Sequence, residues 1–344
     1  MSADRGVGEI SLRRGRWNAA EIAFWLIAVA SIFVFTGRYL ILTEMAWLGL
    51  FALSLDLILG YAGIVSLGHA AFFGVGAYAA GLLAVHGLIK EPVLALVVAG
   101  CAAMVLGFAT SFLVIRGSEL SQLMVTLGIA LLLRELANKF SDITGGFDGL
   151  QGIVIEPILG LFAFDLFGKV GFIYCLVVLF VLFLLARLIV NSPFGLSLRA
   201  IRNNPLRAAA IGIPVNRRLV AIYTLSAFYA GVAGALFTQT TALASLDVFS
   251  FERSADLLLV VVIGGAGYLY GGLIGAVVFR ILQDVFSSWT PQFWQFWIGL
   301  VLVLIVLIGR DRVYRGVLWL PRLLLRRLAA MRGGRAAATD RSAS

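Results

Sequence analysis

The chain has 344 residues, of which 61% are hydrophobic and 13% are charged. Its mean hydropathy is +1.00. Soluble domains are roughly half apolar and about a quarter charged, so this composition excludes a water-soluble domain with a single core. Apolar runs long enough to cross a bilayer as helices recur along the chain. The sequence therefore predicts an all-α, polytopic transmembrane helical bundle.

The net charge of +9 comes mainly from three basic clusters. Residues 1–20 hold four of the 27 Lys and Arg residues, residues 191–218 hold five, and residues 310–344 hold nine. Lys and Arg beside apolar spans are enriched on the cytoplasmic side of membranes. We therefore expect all three clusters, and with them both termini, to be cytoplasmic, and we expect no nucleic acid as a partner.

These patterns divide the chain into three regions. A basic cytoplasmic segment at 1–21 precedes a transmembrane domain at 22–309, and a basic cytoplasmic tail follows at 310–344. The first apolar run follows several Arg residues but has no convincing small-residue cleavage site after it. It is therefore interpreted as an uncleaved first span.

Six apolar segments precede the basic loop at 191–218. They are 22–36, 40–59, 61–85, 93–115, 121–137 and 170–190. An even number of spans returns the chain to the side on which it began. This agrees with a cytoplasmic position for both the N-terminus and the basic loop.

Three apolar segments follow the basic loop, at 219–241, 255–282 and 294–309. An odd number would leave the C-terminus on the wrong side. The middle segment is 28 residues long and contains GGAGYLYGG at 264–272, so two passes or a re-entrant pair there restore parity. Non-helical backbone is tolerated at membrane depth where protein or a cavity surrounds it. The expected total is about eight to ten membrane segments, including broken or re-entrant helices.

The stretch GYAGIVSLGHAAFFGVGAYAAGLLAV, residues 60–85, has six glycines among its 26 residues. Small residues let membrane helices approach closely, and Gly60 and Gly63 are expected to break the helix near its start. The stretch is similar to GGAGYLYGGLIGAVVF at 264–279. The likeness is either a weak internal repeat of the kind found in transporters or a chance match between apolar sequences.

The sequence has no motif for ATP hydrolysis, metal binding or serine catalysis. G-x-x-x-x-G-K-[ST], H-E-x-x-H and G-x-S-x-G are all missing. Cys101 and Cys175 lie in apolar stretches without metal-ligand spacing and are expected to pack as small hydrophobes. A membrane enzyme and a metal site are therefore not predicted.

Charged residues at predicted membrane depth are few. They are Glu44, Asp56, Arg134, Glu135, Arg187, Asp256 and Arg280. Most lie near span ends, where such side chains can reach the interface. Asp56 lies just before the glycine break. It is expected to cap the broken helix or to pair with an Arg or a backbone N–H, with a direct transport role as the alternative.

The basic loop reads NSPFGLSLRAIRNNPLRAAAIGIPV at 191–215. Pro193 ends the preceding span, Pro205 introduces a short break, and Gly212 with Pro214 closes the segment. The pattern predicts one or two short helices at the cytoplasmic face. They are either basic interfacial helices attracted to anionic lipid or helices whose alanines and glycines fit a groove on a partner.

This loop resembles the cytoplasmic coupling loop of ABC importer permeases. More narrowly, four ordered blocks resemble the branched-chain amino acid permease family of the LivM and LivH type. The blocks are GYAGIVSLGHAAFFGVGAY, MVTLGIALLLRELANKFSDITGGFDGLQGI, SPFGLSLRAIRNNPLRAAAIGIPV and VVVIGGAGYLYGGLIGAVV. The chain length and the TGGFDGL sequence favour the LivM-like member.

The resemblance implies one subunit of a heteromeric importer in the bacterial inner membrane. Its partners would be a LivH-like second permease, two P-loop ATPase subunits, an extracytoplasmic binding protein and membrane lipid. ATP and Mg²⁺ would be bound by the ATPase subunits, while this chain would bind no cofactor and catalyse no reaction. The implied substrates are branched-chain or other hydrophobic amino acids. Urea or short amides, and a self-contained secondary transporter, are the alternatives.

Three sets of candidate residues accompany this interpretation. The ATPase-coupling set is Arg199, Ala200, Arg202, Asn203, Ala209, Ala210 and Gly212. The translocation-path set is Gly63, Ser66, Gly68, His69, Gly74, Thr126, Gly264, Gly265 and Gly267, with helix packing as the alternative for His69. The binding-protein docking set is Gly145, Gly146 and Asp148, with a turn-rich loop as the alternative.

Overall fold

The computed structural model describes residues 19–35, 37–89, 91–158, 160–165 and 167–308. Most of the predicted N-terminal basic segment and all of the predicted tail lie outside the described residues. The chain divides into two compact units, Met1–Arg280 and Ile281–Ser344. Within the second unit, the indole Nε1 of Trp297 donates to the Thr290 hydroxyl at 3.0 Å.

The described residues form thirteen α-helices and contain no β-strand, which confirms the all-α prediction. The helices are α1 Ala19–Val34, α2 Tyr39–Ala62, α3 Ala70–Val85, α4 Pro92–Val114, α5 Glu119–Lys139, α6 Ser141–Thr144, α7 Lys169–Asn191, α8 Pro193–Asn203, α9 Pro205–Ala210, α10 Val215–Thr241, α11 Phe251–Gly264, α12 Leu269–Trp289 and α13 Trp294–Ile308. Two 3-10 helices, Gly146–Asp148 and Leu246–Phe249, lie in loops.

Six of these helices are long and apolar enough to cross a membrane: α2, α4, α5, α7, α10 and α12. Three further helices, α1, α3 and α13, are apolar but shorter. Together with the six long helices, they make nine candidate membrane segments among the described residues. This count agrees with the predicted range of eight to ten.

Two of the spans are broken at glycines. Helix α2 ends where Gly63 adopts φ +77°, and the chain stays non-helical until α3 begins at Ala70. The predicted break near Gly60 and Gly63 is therefore found at Gly63, but it is longer than one turn and leaves only a 16-residue α3 of the apolar segment 61–85. The predicted interruption at 264–272 is confirmed. Gly265 and Gly267 have φ +99° and +90° between α11 and α12, and a Cβ at Gly264 would overlap the backbone of Gly271.

Helix α10 packs against α2, α3 and α4 through small residues. A Cβ at Gly76 of α3 would overlap the carbonyl group of Gly231 in α10, and a Cβ at Gly231 would lie 3.2 Å from the Ala99 carbonyl oxygen of α4. Gly76 and Gly231 thus serve close backbone approach, as small residues do between membrane helices.

Hydrogen bonds and contacts define two ends of the first unit. At the loop end, α7 leads directly into α8 and α9, and the last turn of α2 contacts α8. At the far end, the last turn of α10 meets the starts of α4 and α7. There Gln239 Nε2 donates to the Pro92 carbonyl at 2.8 Å, and the Tyr174 hydroxyl donates to Gln239 Oε1 at 3.1 Å.

Adding one methyl group at Gly76 tests this close packing. Gly76→Ala is expected to lower the free energy of unfolding by about 1–3 kcal/mol, because the new Cβ overlaps backbone that cannot rotate away. The matched control is Gly128→Ala in α5, where a Cβ meets nothing within 4 Å. The control should be neutral or slightly stabilising, since Ala is the better helix former by about 1 kcal/mol. Thermal unfolding of the purified variants measures both changes, and equal effects would contradict the packing argument.

Candidate coupling and translocation site

One arginine of α8 contacts both broken spans at the loop end. The guanidinium Nη1 of Arg202 donates to the Gly60 carbonyl in the last turn of α2. A Cβ at Gly63 would lie 3.2 Å from Arg202 Cγ, and a Cβ at Gly267 would lie 3.0 Å from its Nη1. We call Arg202, Gly60, Gly63 and Gly267 the Arg202 junction. Through it, α8 touches the breaks that follow α2 and α11.

Asp56 of α2 completes the contact between the two broken spans. Its Oδ1 accepts a hydrogen bond from the Gly267 backbone N–H at 2.6 Å, and the side chain is fully buried. Hydrogen bonds to a charged acceptor are stronger than neutral ones. The bond satisfies a donor that the break removes from helical pairing. The predicted pairing of Asp56 with a backbone N–H is confirmed.

A cavity of about 590 Å³ lies beside the Arg202 junction. The Arg199 guanidinium, which also lines it, lies 5.3 Å from the centre of the Tyr61 ring, within the range of a cation–π contact. Ala200 is half-buried on the same helix. The cavity brings together predicted coupling and path residues, namely Arg199, Arg202, Asn203 and Gly267.

The remaining coupling candidates lie on the outer surface of the loop. Ala209, Ala210 and Gly212 are exposed, and Gly212 adopts φ +86° just after α9. Beside them Leu206 is 81% exposed and Ile211 is 74% exposed. The loop therefore presents an apolar surface flanked by small residues, which is the kind of surface that a partner protein covers.

The first break ends at a buried polar cluster around His69. His69 is fully buried, and its Nε2 lies 2.9 Å from Ser54 Oγ and 3.4 Å from Ser226 Oγ. Its ring stacks on Phe51 with ring centres 5.8 Å apart. The side chain is thus enclosed by α2 and α10.

Side chains from two further helices bind the backbone of this break. The Leu67 backbone N–H donates to the Thr126 hydroxyl of α5 at 3.2 Å. The Ala70 backbone N–H, at the start of α3, donates to the Ser254 hydroxyl of α11 at 3.0 Å. Both hydroxyls are buried. They replace the helical acceptors that residues 63–69 lack.

The other path candidates are also packed against protein. A Cβ at Gly68 would overlap the Thr126 carbonyl, and a Cβ at Gly74 would overlap the Phe249 ring. Ser66 is fully buried. These residues lie close to one another, in a closed arrangement along α3 and its preceding break.

Sequence reasoning missed Arg253, the third residue of α11. Its guanidinium lies 5.1 Å from the ring centre of Phe237, 5.7 Å from that of Phe73 and 5.9 Å from that of Trp47. The apolar segment was expected to begin at 255, which left Arg253 in a loop. The three rings come from three helices, so nothing in the local sequence indicates that they meet.

Two predicted interfacial charges form ion pairs within the first unit. Arg187 Nη1 lies 2.6 Å from Glu21 Oε2, with 11% of the arginine side chain exposed. Arg280 Nη2 lies 2.5 Å from Glu44 Oε2. Arg187 thus pairs with a carboxylate of α1, and its placement at the membrane interface stays a prediction.

The docking candidates lie at the far end. Gly145 adopts φ +77°, and a Cβ there would overlap the Gly149 carbonyl group, so this turn requires glycine. Gly146 is buried, whereas Asp148 is exposed, and Phe147 is 78% exposed. The turn therefore presents one aromatic and one acidic side chain to its surroundings.

Broken membrane helices that meet inside a bundle, with polar side chains satisfying the freed backbone groups, are typical of membrane transport proteins. Comparison with known proteins then gives the family. Residues 38–308 match the family model described as branched-chain amino acid transport system / permease component. The chain belongs to this family. It is the membrane subunit of an ABC importer, and this type of subunit is not itself the ATPase.

Individual relatives agree with this assignment. The high-affinity branched-chain amino acid transport system permease protein LivM of Salmonella typhimurium is 28% identical over 83% of this chain and 72% of its own length. The probable LivH permease of Methanocaldococcus jannaschii is 29% identical over 69% of this chain and 76% of its own. The ribose import permease RbsC of Bacillus subtilis is 30% identical over 48% of this chain and 56% of its own. No solved structure matches the chain.

Substitutions at Asp56 test the link between the two broken spans. Asp56→Leu is expected to lower the free energy of unfolding by about 1–3 kcal/mol and to reduce uptake, because the Gly267 N–H loses its acceptor. Asp56→Asn keeps an acceptor oxygen, so its free energy of unfolding and its uptake should both fall less than in Asp56→Leu. Thermal unfolding and substrate uptake by the assembled transporter measure the difference. If Asn is as harmful as Leu, the charge and not the hydrogen bond determines the effect.

Proposed function

We propose that this chain is the LivM-like permease of a bacterial inner-membrane importer for branched-chain or other hydrophobic amino acids. The names of its LivM and LivH relatives support this substrate class. The importer contains a LivH-like second permease, two P-loop ATPase subunits that bind ATP and Mg²⁺, and an extracytoplasmic binding protein. Both termini and the loop at 191–218 are cytoplasmic, as their basic residues favour.

The Arg202 junction is the observation that supports this proposal most strongly. The loop that would dock on an ATPase is tied by one side chain to the Gly60 carbonyl of α2 and lies against Gly267 of the second break. Closure of the ATPase pair would displace α8, and the Arg202 contacts would pass that displacement to both broken spans. Such rigid-body movement requires discrete packed contacts of this kind.

The translocation path in this proposal runs along the first break. Ser66, His69 and Thr126 offer weakly polar groups, while Gly63, Gly68, Gly74 and Gly264–Gly267 keep the segment narrow. A mostly apolar lining suits hydrophobic amino acids, and the closed arrangement fits a resting state. Movement of the first break away from α5 and α11 would open the path, because the two hydroxyls that hold residues 67 and 70 belong to those helices.

Helix α5 supports a second permease as partner. Only 11% of the apolar stretch of α5 is buried within this chain. The helix nevertheless carries Arg134 and Glu135 near its C-terminal end. Polar residues of membrane helices usually face protein or water and not lipid. A neighbouring permease packed on α5 would cover them.

The binding protein is proposed to dock at the far end. There the turn at 145–149 presents Phe147 and Asp148. An exposed aromatic residue beside a charge is suited to a protein contact whose charge complementarity sets orientation. The loop lies at the opposite end of the bundle from α8, as an extracytoplasmic docking site requires.

Urea or short amides form the second candidate substrate class. The match to a permease named for ribose supports a second class, since related permeases are named for chemically different cargo. Selectivity then rests with the binding protein. ATP-dependent uptake by the reconstituted importer, with leucine and urea compared, distinguishes the two classes.

Replacing Arg202 tests whether the junction couples ATP hydrolysis to transport. The wild-type chain, purified from its native membrane in mild detergent, is expected to bring down two ATPase subunits and a second permease. Arg202→Ala should assemble with the same subunits and hydrolyse ATP, but its ratio of substrate transported to ATP hydrolysed should fall about tenfold or more.

Arg207→Ala is the matched control for this measurement. Its exposed side chain lies on the same loop. In the part of the chain that the structure describes, no hydrogen bond joins that side chain to Gly60 or Gly267, so its transport-to-hydrolysis ratio should stay at the wild-type value. A normal ratio in Arg202→Ala would contradict the coupling role of the junction. Purification of the wild-type chain without any ATPase would contradict the importer itself.

A further inference from the structure

A second cavity at the loop end lies outside the candidate path. It is a groove of about 780 Å³ between α4, α10 and the turn from α7 into α8. One part of its wall is apolar and is formed by Met104, Phe108, Phe112 and Leu225. The other part is polar and is formed by Arg116, Ser192, Asn216 and Arg217. The groove is therefore amphipathic along its length.

The length of the apolar wall matches one leaflet of a bilayer. Met104 to Ile115 spans eleven residue steps of α4 and its C-terminal end, or about 16 Å at 1.5 Å per residue. Half of a typical hydrocarbon core is about 15 Å. Phe108 is 51% exposed and Phe112 is 46% exposed. An acyl chain lying along this wall would reach from the headgroup level to the bilayer centre.

The polar end of the groove carries unpaired positive charge. Arg116 is the second residue after α4, Arg217 lies in the first turn of α10, and both are exposed. Among the described residues neither guanidinium has a hydrogen-bond, ion-pair or aromatic partner. Basic pockets between membrane helices at the headgroup level bind anionic lipid headgroups. Arginine also pairs with phosphate through two parallel hydrogen bonds.

We propose that this groove binds an anionic phospholipid from the leaflet at the loop end. Its phosphate lies between Arg116 and Arg217, with Ser192 and Asn216 beside the headgroup, and one acyl chain lies along Phe108 and Phe112. The two arginines at one end complement an anionic headgroup, and the apolar wall at the other end has the length of one leaflet. Together these features favour a phospholipid as the occupant.

The position of the groove gives the lipid a mechanical role. Ser192 is the residue before α8, and Arg217 lies in the first turn of α10. A phospholipid held by both flanks would anchor the two ends of the coupling segment to the membrane. The lipid would thus resist their separation without touching the Arg202 junction.

Lipid counting on the intact complex tests the proposal. The complex is equilibrated with equal amounts of phosphatidylglycerol and phosphatidylcholine, and the retained lipids are counted by native mass spectrometry. The wild type is expected to retain phosphatidylglycerol in excess. Arg116→Gln combined with Arg217→Gln should reduce that preference about 30-fold, since each basic residue near an anionic surface contributes a factor of about five.

Two further variants keep the test decisive. Arg38→Gln removes an exposed arginine next to the start of α2, at the far end, and should keep the wild-type preference. Ala221→Trp fills the groove from an exposed lining position and should lose bound phospholipid of both kinds while all subunits remain associated.

Three results would overturn the proposal. The wild type could show no preference for phosphatidylglycerol, or the double Gln variant could keep the preference. Alternatively, Ala221→Trp could lose the second permease, which would make the groove a subunit interface. None of these measurements depends on the identity of the transported substrate, so they separate the lipid site from the importer function.

Discussion

The need to satisfy backbone hydrogen-bonding groups away from water governs how the broken spans of this protein are arranged. Each break exposes N–H groups that a continuous helix would pair. The Asp56 carboxylate of α2 accepts from Gly267 in the second break, and Ser254 of α11 accepts from Ala70 after the first break. Each broken span therefore supplies an acceptor to the other. Neither could be displaced far without leaving a buried donor unpaired, at about 1–3 kcal/mol.

Glycine makes this reciprocal contact possible. A side chain at Gly60 would overlap both the Asp56 carboxylate and the Gly267 backbone. The same close approach brings the Gly60 carbonyl to the guanidinium of Arg202. Glycines that look costly in a helix are thus required where two backbones and one arginine meet. In our proposal this meeting point is also where the ATPase-driven displacement enters the membrane domain.

Much of this arrangement could be predicted from the sequence, because its causes are local. Apolar length predicted the helical bundle, and charge parity predicted that the segment at 264–272 is interrupted. The position of Asp56 before a Gly-rich break predicted a backbone partner. In the basic loop at 191–218, Pro205 and the positive φ of Gly212 agree with the predicted short helices.

The parts that could not be predicted depend on contacts between distant segments. Ser254 is 184 residues from Ala70 in the sequence. The three aromatic rings that contact the Arg253 guanidinium belong to three different helices. The length of the first break was also missed. Residues 63–69 continue an apolar stretch, and the hydroxyls of Thr126 and Ser254, which accept from the backbone of residues 67 and 70, belong to distant segments. A single sequence does not show which segments become neighbours.

The central claim is that α8 and the second break move as one unit during transport. Asn203 and Tyr268 line the same cavity and are both exposed, so both can be replaced by cysteine in a chain lacking Cys101 and Cys175. The measurement is substrate uptake by the reconstituted importer before and after a short bifunctional thiol reagent joins the two positions. Our account predicts that cross-linked importer continues to transport. Uptake that stops on cross-linking and returns when the linker is cleaved would contradict it.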